Sequence, residues 1–396
     1  MTTTELQQKF KAIETQLLMS HLEREMHVHN ALVSLIGYQH MLMLGKPGTG
    51  KSLMIRDLAA RVLGATYFET LLHETSDVSE VNGAIDVPAM VERGETRRNT
   101  TGKLPEAAIA FLDEVLNANA PVLHSLYPQL NERVFHNGNG HPQPTPLRSA
   151  FMATNQMHSD PNLHALWDRV HIRMLVDYVR DRNNITNIID ASLRRKRNIE
   201  ADEIATVTLD DLDKAHQEAL SLPRAPQADE LFFELYEEIM SRGSEVSTRR
   251  LVESMVACQS NAWLKGHSEV KVPDLEVLAD FWWQTMEDHD TVRTIILEAV
   301  NPSEKEAAKL LEDFDALRNE YSNAKKLDDV KKSQTGLEVY RKLKTLLGNA
   351  RLERDKAEDA GCSTGRLDEI TTKVEGLMSE IGEEVFGIDS STMKSG

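Results

Sequence analysis

Gly45-Lys46-Pro47-Gly48-Thr49-Gly50-Lys51-Ser52 (GKPGTGKS) stands between an apolar run, His40–Leu44 (HMLML), and a stretch with helical period through Leu53, Ile55, Leu58, Ala59 and Val62 that ends near Gly64. A short apolar run before a glycine-rich loop reads as a buried parallel strand, and steps of three and four read as one helix face. Gly45, Gly48 and Gly50 let the backbone turn tightly and approach a polyphosphate. The N–H groups at the start of the following helix then point at the anion, with Pro47 and Thr49 completing the loop. Lys51 has the reach for β- and γ-phosphates, and the Ser52 hydroxyl suits Mg2+.

Working outward, further short strands are expected at Thr66–Leu71, Ala107–Leu112, Arg148–Ala153 and Val170–Val176, with helical stretches between them, chiefly Ala120–Glu132. Strands alternating with helices imply a parallel sheet covered on both faces. Residues 1–37 read as helical. The chain therefore begins with an α/β core over about residues 1–180. From 181 to 300 the pattern is almost all helical. Asp229–Ser241 and Thr248–Lys265 are the clearest helices, and a further one starts at Pro273 and carries Trp282 and Trp283. Over residues 301–396, Leu310, Phe314, Leu317 and Tyr321 form one heptad-like seam, and Leu367, Ile370, Val374, Leu377 and Ile381 form another. Turn residues between Ala360 and Gly365 separate them, so a C-terminal α-helical hairpin with a loose tail is expected. The alternative is a set of amphipathic helices lying on the body.

Two more strand ends carry chemistry. AIAFLDEV is an apolar run that closes on Asp113-Glu114. Asp113 suits Mg2+, through its water, and Glu114 suits polarising an attacking water. AFMATNQ is a second such run, closing on Asn155, which can hold that water or a γ-phosphate. The expected reaction is Mg2+-dependent hydrolysis of ATP. His136, Asn137 and His141 hold only two histidines and no carboxylate at ligand spacing, so they do not read as a metal site.

These residues resemble the AAA+ ATPases, more narrowly the MoxR family, and closest the RavA-like subgroup, over roughly residues 10–300. GKLPEAAIAFLDEV, LYPQLNERVFHNG, LWDRVHIRM and VSTRR carry the likeness in place and order. It implies a sheet of order 5-1-4-3-2 and a helical lid over residues 181–300. It makes Arg169 an arginine finger reaching the neighbouring subunit's γ-phosphate, and Arg249 the lid arginine called sensor 2, a slot its neighbour Arg250 also fits. It makes Val81–Leu104 a helix-2 insertion and Glu132–Pro146 a hairpin turned by Gly138 and Gly140, both facing a central pore. It further implies a homo-hexamer, a von Willebrand factor A domain partner and a protein client, with the lid moving against the core during turnover. Two departures stand out. Val115-Leu116-Asn117 replaces the Ile-Asn-Arg stretch of many MoxR proteins, and the C-terminal segment lacks the strands of a β-rich insert.

A net charge of −18 opposes broad nucleic-acid binding. A nucleic-acid-stimulated motor is thus a weaker reading, with Arg97-Arg98 and Arg194–Arg197 its only dense basic runs. A regulatory scaffold is a third, opposed by the intact Glu114. Cys258 and Cys362 build no disulfide framework, no membrane span is expected, and the cytoplasm is the expected compartment.

Overall fold

Five parallel strands form the central sheet: β1 (Met41–Leu44), β2 (Tyr67–Leu71), β3 (Ile109–Asp113), β4 (Ser149–Thr154) and β5 (Ile172–Leu175). Their spatial order is β5-β1-β4-β3-β2, the 5-1-4-3-2 order that the motifs imply. This computed structural model describes residues 4–138, 141–155, 164–196, 204–325, 329–359, 362 and 364–386.

The sheet is apolar because both of its faces are covered. All four residues of β1 and all six of β4 are buried. Met41 is in register with Phe151 on one side and with Ile172 on the other. β1 therefore lies where the strand order reverses, and its carboxyl end opens between the ends of β4 and β5. That is the crevice in which open α/β sheets bind ligands. One side packs Leu42, Ala110, Leu112, Met152, Leu126 and Val170 into a continuous core.

The N-terminal stretch is two helices rather than one. Glu5–Ser20 starts on a capping box made by Thr4 and Gln7, and Glu25–Ile36 follows a break at residues 21–24. Glu23 in that break has φ 58°, a left-handed conformation that ends a helix.

The segment expected to be the lid, residues 181–300, holds the helices Arg182–Lys196, Leu209–Leu220, Pro226–Ser241, Thr248–Leu264 and Met286–Val300 and the 3-10 segment Val272–Asp280. The expected helix from Pro273 through the tryptophans stops short of them. Trp282 and Trp283 lie beyond the 3-10 segment, both buried. Buried β5 explains part of this, since the guanidinium of Arg173 donates to the Trp283 carbonyl at 2.6 Å and lies over both Trp167 and Trp283.

By its contacts the chain divides into Met1–Arg293 and Thr294–Gly396, inside the helix Met286–Val300. Core and lid thus belong to one unit. The second unit corrects the hairpin. It holds three long helices, Pro302–Ala324, Asp329–Asp359 and Gly365–Ile381. The two expected seams are buried, and Val339, Leu343, Leu346 and Ala350 of the middle helix pack between them. The missed break follows Ala324, where no glycine or proline marks it. Lys325 there is held by Glu384 at 2.7 Å and also bonds Glu380.

Among the described residues, no helix is long and apolar enough to cross a membrane, and no group of three or more His, Cys, Asp or Glu could hold a metal.

Candidate functional site

The phosphate loop leaves β1 at Gly45, whose N–H donates to the Thr154 carbonyl at 3.0 Å. A Cβ at Gly45 would lie 2.1 Å from the Val176 carbonyl oxygen, so only glycine fits against the end of β5. Gly48 and Gly50 have φ 80° and 85°, which L side chains rarely adopt. These turns bring the chain around into the helix Lys51–Ala59. Thr49 Oγ1 donates to the Lys46 carbonyl at 2.9 Å, and Tyr178 Oη donates to the Pro47 carbonyl at 3.2 Å. Lys51 Nζ donates to the carbonyls of Gly45 and Lys46 within the loop. Burial pulls Lys51 below the usual lysine range, and the carboxylates of Asp113 and Glu114 act against that pull. Ser52 is half-buried in the first turn of the same helix.

Asp113 ends β3, and Glu114 follows it at φ 53°. That left-handed residue swings its carboxylate across to β4. The side-chain amide of Asn155 donates to Glu114 Oε1, and the Asn155 backbone N–H faces Oε2 at 3.4 Å. Asn117 Nδ2 donates to the same Oε2 at 3.2 Å. Glu114 is thereby gripped by two amides. One of them comes from the Val115-Leu116-Asn117 departure and was not anticipated. Asn155 Oδ1 is buried without a hydrogen-bond partner, a polar atom still able to take a donor such as water. Lys51, Asp113, Glu114 and Asn155 are thus brought together by the ends of three adjacent strands.

Arg169 lies elsewhere, in the turn after the helix His164–Trp167, with its guanidinium 4.7 Å over the Tyr127 ring. The preceding residue, Asp168, accepts from Ser247 Oγ at 2.6 Å and from Arg249 Nη1 at 2.9 Å. Arg249 is half-exposed there. Arg250 is 2% exposed, and its guanidinium is committed to the carbonyls of Trp167, Val170, His171 and Phe281. Of the two neighbours, only Arg249 has a side chain at the surface. It pairs with Asp168, the chain neighbour of Arg169.

Next to the loop is a cavity of about 310 Å³. Met43, Val176 and Tyr178 line it together with Ile185, Ile188 and Ile189 of the helix Arg182–Lys196. This apolar wall suits a nucleobase. Sequence reading missed it, because three isoleucines on a polar helix say nothing about what they face. Reading also missed His21, which bonds Asp57 at 3.0 Å at the rim, and Arg24.

The hairpin expected at 132–146 forms from the antiparallel strands Val134–His136 and Pro142–Pro144. Gly138 has φ 73°, while Gly140 lies outside the described residues, as do Gln156, the loop Ser159-Asp160-Pro161 and Arg197. Asn137 exchanges hydrogen bonds with both backbone groups of Arg98, stapling the hairpin to the 81–104 insertion. That insertion exposes Ile85, Val87, Met90 and Val91.

The donor set fits a nucleoside triphosphate with a divalent cation. The fit rests on the loop that admits only glycine at 45 and on the orphaned Asn155 oxygen. Residues 6–217 match a family model described as the MoxR domain in the MoxR-vWA-beta-propeller ternary systems, and residues 229–296 match an AAA lid domain. Two uncharacterized proteins of Methanocaldococcus jannaschii are 29% and 30% identical. The matches span 96% and 92% of this chain and 100% and 96% of theirs. The crystal structure of a candidate ATPase from Cytophaga hutchinsonii superposes with a TM-score of 0.59 at 16% identity. It covers 75% of this chain and 95% of that one, a likeness of fold.

Proposed function

The chain belongs to the MoxR family of AAA+ ATPases, and from that premise we propose that it hydrolyses ATP in a ring, a homo-hexamer, to remodel a protein client. The observation that carries the reading is the grip of Asn155 and Asn117 on Glu114, beside the Lys51 ammonium. A carboxylate so aimed can orient and deprotonate a water for attack on a γ-phosphate. Lys51 and the loop N–H groups meet the phosphate charge. Ser52 and Asp113 are the residues that would hold Mg2+, which neutralises charge on the β- and γ-oxygens when bound.

Arg249 pairs with Asp168, the residue next to Arg169 in the chain. This supports assigning both arginines to the face offered to the next subunit. We do not place the moving boundary between lid and core. The matched lid is bonded to the first two helices by His29, which lies between Glu14 and Asn261, and the helix before it is bonded to the sheet by Arg148 with Asp213 at 2.9 Å. We therefore assign the moving boundary to the interface between subunits.

The matched family model is named for systems that contain a von Willebrand factor A protein and a β-propeller protein, which supports a partner of the first kind. The RavA-like likeness rests on the motif strings alone. The stapled insertion and hairpin, with their exposed Val87, Met90 and Val91, supply a client-facing surface. The cytoplasm is the compartment in which we expect this to occur. Phosphate release by the parent and by Glu114→Gln tests the chemistry. Turnover in the parent and loss of it in the variant is expected, and equal rates would refute the assignment of Glu114. Co-purification with the Glu114→Gln variant under ATP tests the partner, whose absence would remove that part.

A further inference from the structure

Glu23 and Arg24 are neighbours in the break between the first two helices, and they bond different parts of the same site. The Arg24 guanidinium, 8% exposed, donates to the Thr49 carbonyl of the phosphate loop at 3.3 Å and to the Asp177 carbonyl beyond β5. It also donates to the Glu23 carbonyl at 2.7 Å. The Glu23 carboxylate bonds farther along the segment that Arg24 meets at Asp177. It accepts from the backbone N–H of Arg180 at 2.9 Å, from that of Asp181 at 3.0 Å, and from the Asn184 side-chain amide at 3.1 Å. These donors stand at the start of the helix Arg182–Lys196, where Asp181 in turn accepts from the N–H groups of Asn183 and Asn184. A helix start is where backbone donors need acceptors and where negative charge is favoured. Ile185, Ile188 and Ile189 of that helix are one wall of the cavity, and the phosphate loop is another.

We propose that Glu23 and Arg24 are positioning residues for the bound nucleotide. Arg24 holds the loop that takes the phosphates, and Glu23 holds the helix that takes the base. A single peptide unit therefore sets the spacing between the two halves of the site. The left-handed φ of 58° at Glu23 fits this role. Such a conformation is uncommon for a residue with a side chain and persists where its surroundings require it. Here consecutive side chains reach the phosphate loop and the start of the helix Arg182–Lys196. The proposal rests on the nucleotide site described above.

Binding of two probes separates the halves: ATP, which uses both walls, and inorganic tripolyphosphate, which uses the loop alone. Glu23→Ala is expected to weaken ATP about 10-fold and to leave tripolyphosphate within about twofold. Its kcat at saturating ATP should stay near the parent value while KM rises. Glu23→Gln, which keeps one acceptor oxygen, should fall between. Arg24→Ala should weaken both probes. Retained tripolyphosphate binding in Glu23→Ala also certifies a folded loop. ATP binding unchanged in Glu23→Ala, or equal loss of both probes, would overturn the proposal. Binding of neither probe by the parent would overturn the nucleotide site itself, and Lys51→Ala, expected to lose both, provides the control for it.

Discussion

The side-chain amide of Asn155, at the end of β4, donates to the carboxylate of Glu114, at the end of β3. The two residues lie 41 apart in sequence, yet the parallel register sets their strands side by side, Leu112 against Met152. The pairing orients Glu114 and leaves Asn155 Oδ1 available to a water. Replacing Asn155 by alanine should therefore lower turnover about 100-fold with little change in ATP affinity. Steady-state phosphate release and nucleotide titration on the same sample check this.

Arg249 and Arg250 should behave oppositely although they are adjacent. Arg250→Ala strips the donor from four carbonyls in a buried place. The expected cost is about 3 kcal/mol of stability, read from denaturant unfolding. Arg249→Ala removes a half-exposed pair with Asp168, so stability should change by less than about 1 kcal/mol. Its loss should appear in turnover of the assembled protein.

Gly45→Ala should abolish nucleotide binding. The added Cβ meets the Val176 carbonyl at 2.1 Å, and the atom in the way is backbone just past the end of β5. Titration with ATP reads the loss, and the neighbouring change Thr49→Ala, which removes only a hydroxyl bond inside the loop, should bind far better.

Acid should weaken the clasp between the first helix and the lid. Burial alone raises the Glu14 carboxyl, but the hydrogen bond and charge of His29, with Lys11, outweigh it and hold the group at about 2, against an ordinary 4.5. Both ring nitrogens of His29 face oxygens, of Glu14 at 2.6 Å and of Asn261 at 2.7 Å. A depressed carboxyl contributes stability that is complete above 4.5 and is lost as pH falls toward 2. The contribution at neutral pH is about 3 kcal/mol. Urea unfolding of the parent and of Glu14→Gln should thus differ at pH 7 and converge as pH drops from 5 to 2.

What could be read in the chain followed local rules. Apolar runs closing on polar residues marked β1, β3 and β4, and with them Lys51, Asp113, Glu114 and Asn155. The two terminal seams of the C-terminal unit showed by their spacing. Where long-range packing overrides local signals, reading failed. Lys325 ends a helix without glycine or proline, held instead by glutamates far along the chain. Arg173 and Arg250 look like surface residues in sequence but are buried because carbonyls converge on them. Glu23 and Arg24 carry no motif, and their meaning depends on bonds to residues near 49 and 180.

In the ring we propose, two subunits build each catalytic site, with Glu114 from one and Arg169 from the next. Mixing Glu114→Gln with Arg169→Ala, each expected to be inactive alone, separates the two contributions. In co-assembled rings, roughly a quarter of the interfaces join an intact Glu114 to an intact Arg169. Phosphate release should return to about that fraction of the parent rate on mixing. A mixture as inactive as its components, under conditions where parent rings exchange subunits, would rule out a site shared between subunits.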